Sequence, residues 1–267
     1  MKFPSTLPTP HRTLLETIIT RFSADPRIAG IAASGSYTTN TMDIYSDLDL
    51  VIACAASDYA SVMHERFALI EQLDGGVAAF SGEHVGEPRL VIALFAPKWA
   101  DEPIHVDFKF VALEDAAQRV DPCQVLWERE GELSQIYASS TPYYPQPEPQ
   151  WIEERFWTWV HYGATKIARG EYFEAVEFLS FLRTTVLSPL ALRQSQQTPS
   201  GVRKLETRLP EFALELGKTV VKPEKLSLID ALNRVITLYL RLRENEVVIK
   251  REAAQQVSMD YVARLLN

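Results

Sequence analysis

Between residues 31 and 53 the chain reads IAASGSYTTNTMDIYSDLDLVIA. Asp47 and Asp49 flank Leu48 at the start of an apolar run, Asp43 precedes them, and a Gly35-Ser36 pair lies upstream. A carboxylate among apolar neighbours is costly to bury unless a cation compensates it. Residues two apart on a strand project from one face, so Asp47 and Asp49 point together while Leu48 and Leu50 pack behind them. Two carboxylates that close repel, and one is driven to hold its proton unless a metal holds both. Hard oxygen donors on a rigid strand suit Mg²⁺, whose other positions are filled by water and phosphate oxygens. A third acid, Asp107, sits in HVDFKF between apolar residues. Two neighbouring strands can therefore bring three carboxylates to one place.

Gly35-Ser36 supplies a different property. Glycine admits positive φ and a close approach of backbone to ligand. The amides that follow it, with the Ser36 hydroxyl, can cradle phosphate oxygens if a helical turn begins there. The chain has no G-x-x-x-x-G-K-[ST] loop, no G-x-G-x-x-G fingerprint and no G-x-S-x-G elbow.

The elements that must hold these residues follow from periodicity. Thr9-Pro10 reads as a cap and first turn, followed by Leu15, Ile18 and Phe22 at helical spacing as far as Asp25-Pro26. Strands are predicted at 28–34, 47–53, 89–96 and 104–113, with a helix from Ser57 to about Leu73 stopped by Gly75-Gly76. The last strand alternates cleanly: Ile104, Val106, Phe108 and Phe110 face one way, His105, Asp107 and Lys109 the other. The loop PKWADEP between the last two strands predicts an antiparallel hairpin. Residues 141–150, TPYYPQPEPQ, contain four prolines and read as a stiff linker. Beyond them the pattern is helical. Phe156, Val160, Gly163 and Ile167 form one stripe. Tyr172, Val176, Leu179, Leu182, Val186 and Leu190 form a second, stopped near Pro189, and Ile229, Leu232, Ile236 and Leu240 form a third. Smaller helices are expected at 200–218 and 251–265. The fold class is α+β: an α/β domain over 1–140 with a short mixed sheet, then a helical bundle over 151–267.

The stretch GSYTTNTMDIYSDLDLVIA followed by HVDFKF resembles the nucleotidyltransferase superfamily that includes DNA polymerase beta. The shared pattern is an apolar strand ending in Gly-Ser, Asp-apolar-Asp on the next strand, and a later strand with a third acid. The small α/β domain followed by a helical bundle is similar to the antibiotic nucleotidyltransferases, which modify aminoglycosides or lincosamides. That resemblance implies that Gly35 and Ser36 bind the triphosphate and that Asp47 and Asp49 hold two Mg²⁺ ions. It further implies that Asp107 completes the second metal site or takes the acceptor's proton. A nucleoside monophosphate, AMP from ATP or its counterpart from another triphosphate, would pass to a hydroxyl on a small, aminoglycoside-like molecule. Transfer to protein or tRNA, or a nucleotide-binding module without turnover, are the alternatives.

Triphosphate sites need cations, and Lys166 and Arg183 are the candidates on the helices, Arg183 because it interrupts the apolar FLSFLRTTVL. Glu83, His84 and Glu87 lie on a Gly-rich loop, where a glutamate could act as general base in place of Asp107. His105 shares the face of Asp107, and Trp151, Trp157 and Trp159 are candidates to stack a base or a helix. The net charge is −8, which argues against a nucleic-acid partner. Prolines at 4, 8 and 10 leave no apolar leader, no apolar stretch reaches membrane-spanning length, and Cys54 and Cys123 fit a reducing cytoplasm.

Overall fold

The computed structural model describes residues 3–265, which divide into two compact units with the boundary between Tyr143 and Tyr144. The N-terminal unit is built on one six-stranded sheet. Its strands are β1 (Ile28–Ala33), β2 (Leu48–Cys54), β3 (Gly76–Gly82), β4 (Glu87–Phe95), β5 (Ile104–Ala112) and β6 (Gln124–Glu128), in the order β3-β4-β5-β2-β1-β6. Only β2 and β5 pair in parallel; the other neighbours are antiparallel, so the sheet is mixed.

The alternation along these strands decides what each face does. Leu48, Leu50, Ile52, Val106, Phe108 and Phe110 are buried in one cluster with Leu14, Leu15, Ile18 and Phe22 of α1 (Thr9–Ser23) and Val62 and Ile70 of α2 (Tyr59–Glu71). The opposite face is covered at one end, where Ala32, Val51, Ala53 and Val111 pack with Leu133 of α3 (Glu132–Ser139). Gly30 permits that approach, since a Cβ there would lie 2.7 Å from Leu133 Cδ2.

Several expectations shift. β3 and β6 were not legible as strands and α3 not as a helix. GVAAFSG is rich in Gly, Ala and Ser, poor strand formers, and is held extended by its register with β4. The strand predicted at 89–96 and the one at 104–113 do form the antiparallel hairpin β4–β5. Pro8 and Asp58, rather than Thr9 and Ser57, cap α1 and α2, neither through a side-chain hydrogen bond.

The C-terminal unit is helical: α4 (Pro149–Ala168), α5 (Tyr172–Leu182), α6 (Ser188–Gln194), α7 (Leu205–Arg208), α8 (Pro210–Gly217), α9 (Lys225–Arg243) and α10 (Glu252–Leu265). Pro149 opens α4 at a position where the missing N–H costs nothing. Pro189 does not stop the second stripe. A π-helical turn over Arg183–Leu187 joins α5 to α6 and absorbs the proline, whose ring would clash with the carbonyl four residues back in a regular helix. The joined helix Tyr172–Gln194 is long and apolar enough to cross a membrane by length and composition, contrary to the sequence expectation. Its apolar residues Leu179, Leu182, Val186, Leu187 and Leu190 are instead buried in the core with Phe156, Val160, Leu232 and Val235.

Candidate active site

The site is laid out as a row across the sheet. β1 ends at Ala33, the Ser34 amide donates to the Asp49 carbonyl at 2.9 Å, and the chain turns into a 3₁₀ turn over Gly35–Tyr37. Gly35 adopts φ +62°, and a Cβ there would lie 2.1 Å from Asp49 Oδ2. Glycine is therefore required twice over, by the backbone conformation and by the carboxylate packed against it. The Thr38 hydroxyl and amide both donate to the Gly35 carbonyl, and the Thr41 amide to that of Ser36, which fixes the turn. The Ser36 hydroxyl is buried and has no hydrogen-bond partner among the described residues. A buried hydroxyl without a partner costs stability, so Ser36 has a donor left over for a ligand. Tyr37 buries its ring in the core, and burial raises its phenol pKa to about 12.

On the other side of this turn, Asp49 and Asp107 are register neighbours on the parallel pair β2–β5, so their half-buried side chains leave the same face. Asp47 is the residue just before β2, two positions from Asp49. It is positioned by a residue the sequence reading passed over. His11, buried on α1, lies with Nε2 2.7 Å from the Ser46 carbonyl, so the ring nitrogen donates and ties the loop before Asp47 to the helix. The available signal was a histidine on an otherwise apolar stripe. Asp43, in contrast, is exposed and closes its own loop, accepting from the Tyr45 amide at 2.9 Å and the Ser46 hydroxyl at 3.2 Å.

His105 Nε2 lies 2.9 Å from Asp107 Oδ1. Glu83 sits exposed in the turn between β3 and β4. Glu87 is paired with Arg89 at 2.7 Å and Lys109 at 3.0 Å. The hydrogen bond from Arg89, with help from Lys109, holds its carboxyl down at about 2, which makes it a weak proton acceptor. Lys166 is engaged inside the C-terminal unit, with Glu171 at 2.7 Å and Glu174 at 2.9 Å. Arg183 donates to the Thr219 carbonyl at 2.9 Å rather than pairing with Glu174 or Glu177. Trp157 is core, and Trp151 and Trp159 meet edge to face at 5.5 Å.

A hard divalent cation fits the donor set by position: Asp47 just before β2, Asp49 on it and Asp107 beside it on β5, with the Ser36 hydroxyl, unpartnered among the described residues, across the turn. Among the described residues no three acidic, histidine or cysteine side chains already converge on one point, so the fit is one of strand positions.

The sequence of residues 13–122 matches the profile of the family described as "Nucleotidyltransferase domain". The N-terminal unit is a nucleotidyltransferase domain. The domain match supports an enzyme of nucleotidyl transfer, a class that generally draws on a nucleoside triphosphate and a divalent metal ion. A comparison with curated proteins finds no match. Among solved structures, a nucleotidyltransferase-like protein from Exiguobacterium sibiricum is 14% identical over 94% of this chain and 79% of that one, with a TM-score of 0.39. An aminoglycoside 6-adenyltransferase from Bacillus subtilis is 15% identical over 94% of each chain, with a TM-score of 0.37. At those scores the assignment rests on the domain match.

Proposed function

We propose that this nucleotidyltransferase domain transfers the nucleoside monophosphate of a triphosphate, ATP first among the candidates, to a hydroxyl on a small molecule in the cytoplasm. The observation that carries the reading is the pairing of Asp49 with Asp107 beside the buried, unpartnered hydroxyl of Ser36. In the reaction the acceptor oxygen bonds to the α-phosphorus, the bond from that phosphorus to its bridging oxygen breaks, and pyrophosphate leaves. Gly35 and Ser36 hold the departing phosphates. Asp107 takes the acceptor's proton, a role for which Glu87 is too tightly ion-paired. Asp47 and Asp49, with Asp107, would hold Mg²⁺, which when bound supplies charge stabilisation to the attacking and leaving oxygens. The remaining contribution of the chain is alignment on a rigid sheet. Lys166 and Arg183, already engaged within their own unit, are left out of the phosphate site.

Aminoglycosides and lincosamides are the acceptors to screen, on the resemblance of the motifs. The decisive experiment is calorimetric titration of ATP, GTP, CTP and UTP, with and without Mg²⁺, into the wild-type chain and the double variant Asp47→Ala/Asp49→Ala. Metal-dependent binding of one nucleotide, lost in the variant, is expected. Binding that ignores both metal and variant would overturn the metal assignment.

A further inference from the structure

The face of the sheet that carries Asp49 and Asp107 is covered unevenly. α3 packs over the β1 and β6 side. Toward β4 and β3 the same face stays open and turns apolar. Asp107 lies opposite Ile92, and Ile92 opposite Phe80; one step along, His105 lies opposite Leu94, and Leu94 opposite Ala78. Residues directly opposite on paired strands share a face. Phe80 is 51% exposed and Leu94 40%, while Ile92 and Leu90 are half-buried. A contiguous apolar patch joined to a polar site marks a surface that something covers.

The direction of the chemistry says what covers it. The phosphate cradle, Gly35-Ser36, leaves the end of β1, on one side of β2; β5, β4 and β3 lie in sequence on the other. Displacement at phosphorus is in line, with attacking and leaving oxygens on opposite sides. With pyrophosphate at the cradle, the attacking hydroxyl arrives over Asp107, and the molecule that bears it lies over Ile92, Leu94 and Phe80. We infer that the open β3–β4 face is the acceptor subsite, and that it selects hydroxyl acceptors with an apolar face beside the reacting oxygen over polycationic ones. The inference rests on the nucleotidyl-transfer reading above. The Phe80 ring lies beside His84, centroids 5.7 Å apart and planes tilted by 45°, and bounds the far end of the subsite. Glu87, held between Arg89 and Lys109, borders it in a cluster of one acid and two cations, which offers no negative charge to a polyamine.

The test is calorimetry on the full chain loaded with Mg²⁺ and α,β-methylene-ATP, titrated with 4-nitrophenyl β-glucoside, lincomycin and kanamycin. The first two are expected to bind, and kanamycin at least about tenfold more weakly. Phe80→Ala and Leu94→Asn, both at exposed positions, are each expected to weaken the apolar acceptors by about tenfold, the effect of losing one apolar contact, with nucleotide affinity unchanged. Preference for kanamycin, or binding of none of the three, overturns the inference. So does a loss of nucleotide binding in Phe80→Ala, which would place the nucleobase on the patch. A change of sedimentation in the variants alone would make the face an interface between copies and likewise overturn it. If wild type binds no nucleotide, the failure lies in the nucleotidyl-transfer reading itself.

Discussion

The two units each remove a carboxylate from free solution, and they do so in opposite ways. In the C-terminal unit Glu153 is 0% exposed and surrounded by donors. Tyr239 Oη, Trp157 Nε1 at 3.3 Å, Arg243 Nη1 at 3.1 Å and the Arg251 amide at 2.8 Å all point at it. Burial, helped by Glu153, pushes the Tyr239 hydroxyl well above its usual range, so it stays a donor. In the N-terminal unit Asp49 and Asp107 are only half-buried and stand beside a charge of their own sign. A carboxylate supplied with a full set of donors is part of the fold's own cohesion. Carboxylates set side by side on a half-open face repel each other, and a cation bound between them would relieve that repulsion.

The contrast breaks most sharply at Asp49. Asp49→Ala is expected to reduce transfer by about a thousandfold or more, several kcal/mol of transition-state stabilisation. The thermal midpoint should move far less than in a fully buried carboxylate's variant, because Asp49 is half-buried and stands beside a like charge. Glu153→Ala should do the reverse. Removing one partner of a buried ion pair costs about 3–5 kcal/mol, a fall of many degrees in the midpoint, while nucleotide affinity of the protein still folded is preserved. Turnover and melting curves on the same two variants check both. If Asp49→Ala unfolds the protein, or Glu153→Ala leaves its midpoint unmoved, the division between the two kinds of carboxylate is wrong.

The site was more legible than the sheet that carries it. Gly-Ser, Asp-x-Asp and the mid-strand Asp107 announce themselves by position: the first ends one predicted strand, the second opens the next, and Asp107 lies on the polar side of a cleanly alternating one. β3 was hidden for the converse reason: Gly, Ala and Ser say little locally, and the strand exists through its register with β4. β6 and α3 are short, and their burial comes from partners distant in sequence. Glu153 was passed over as one acid on a predicted helix, because its cation, Arg243, and the Arg251 amide that also donates to it lie ninety or more positions away. Pro189 misled because a π turn removes the clash that normally ends a helix.

A smaller effect sharpens the comparison at Ser36. Its hydroxyl is buried without a partner, so Ser36→Ala should leave stability unchanged or slightly higher. Nucleotide affinity should fall by about tenfold, the value of one hydrogen bond to a charged group. Calorimetry and a melting curve on one variant separate the two effects. A loss of stability with intact affinity would make Ser36 a structural residue like Glu153.

Glu87 stands between the two kinds, paired like Glu153 yet bordering the site through Lys109. Its folded pKa of about 2 lies below the usual 4.5 of a glutamate. The pairing therefore contributes fully above about pH 4.5 and is lost as the pH falls from there toward 2. Because the side chain is 24% exposed, solvent screening limits the contribution to about 1–2 kcal/mol. Urea unfolding of wild type and Glu87→Gln should differ by that amount at pH 7, and the difference should shrink below pH 4.5 and close as the pH falls toward 2. A difference that does not vary with pH would mean that the charge of Glu87 is not what Arg89 and Lys109 hold. Turnover at pH 7 makes the complementary point. Glu87→Gln should keep it and Asp107→Asn should lose it, because a carboxylate already committed to two cations has little affinity left for a substrate's proton.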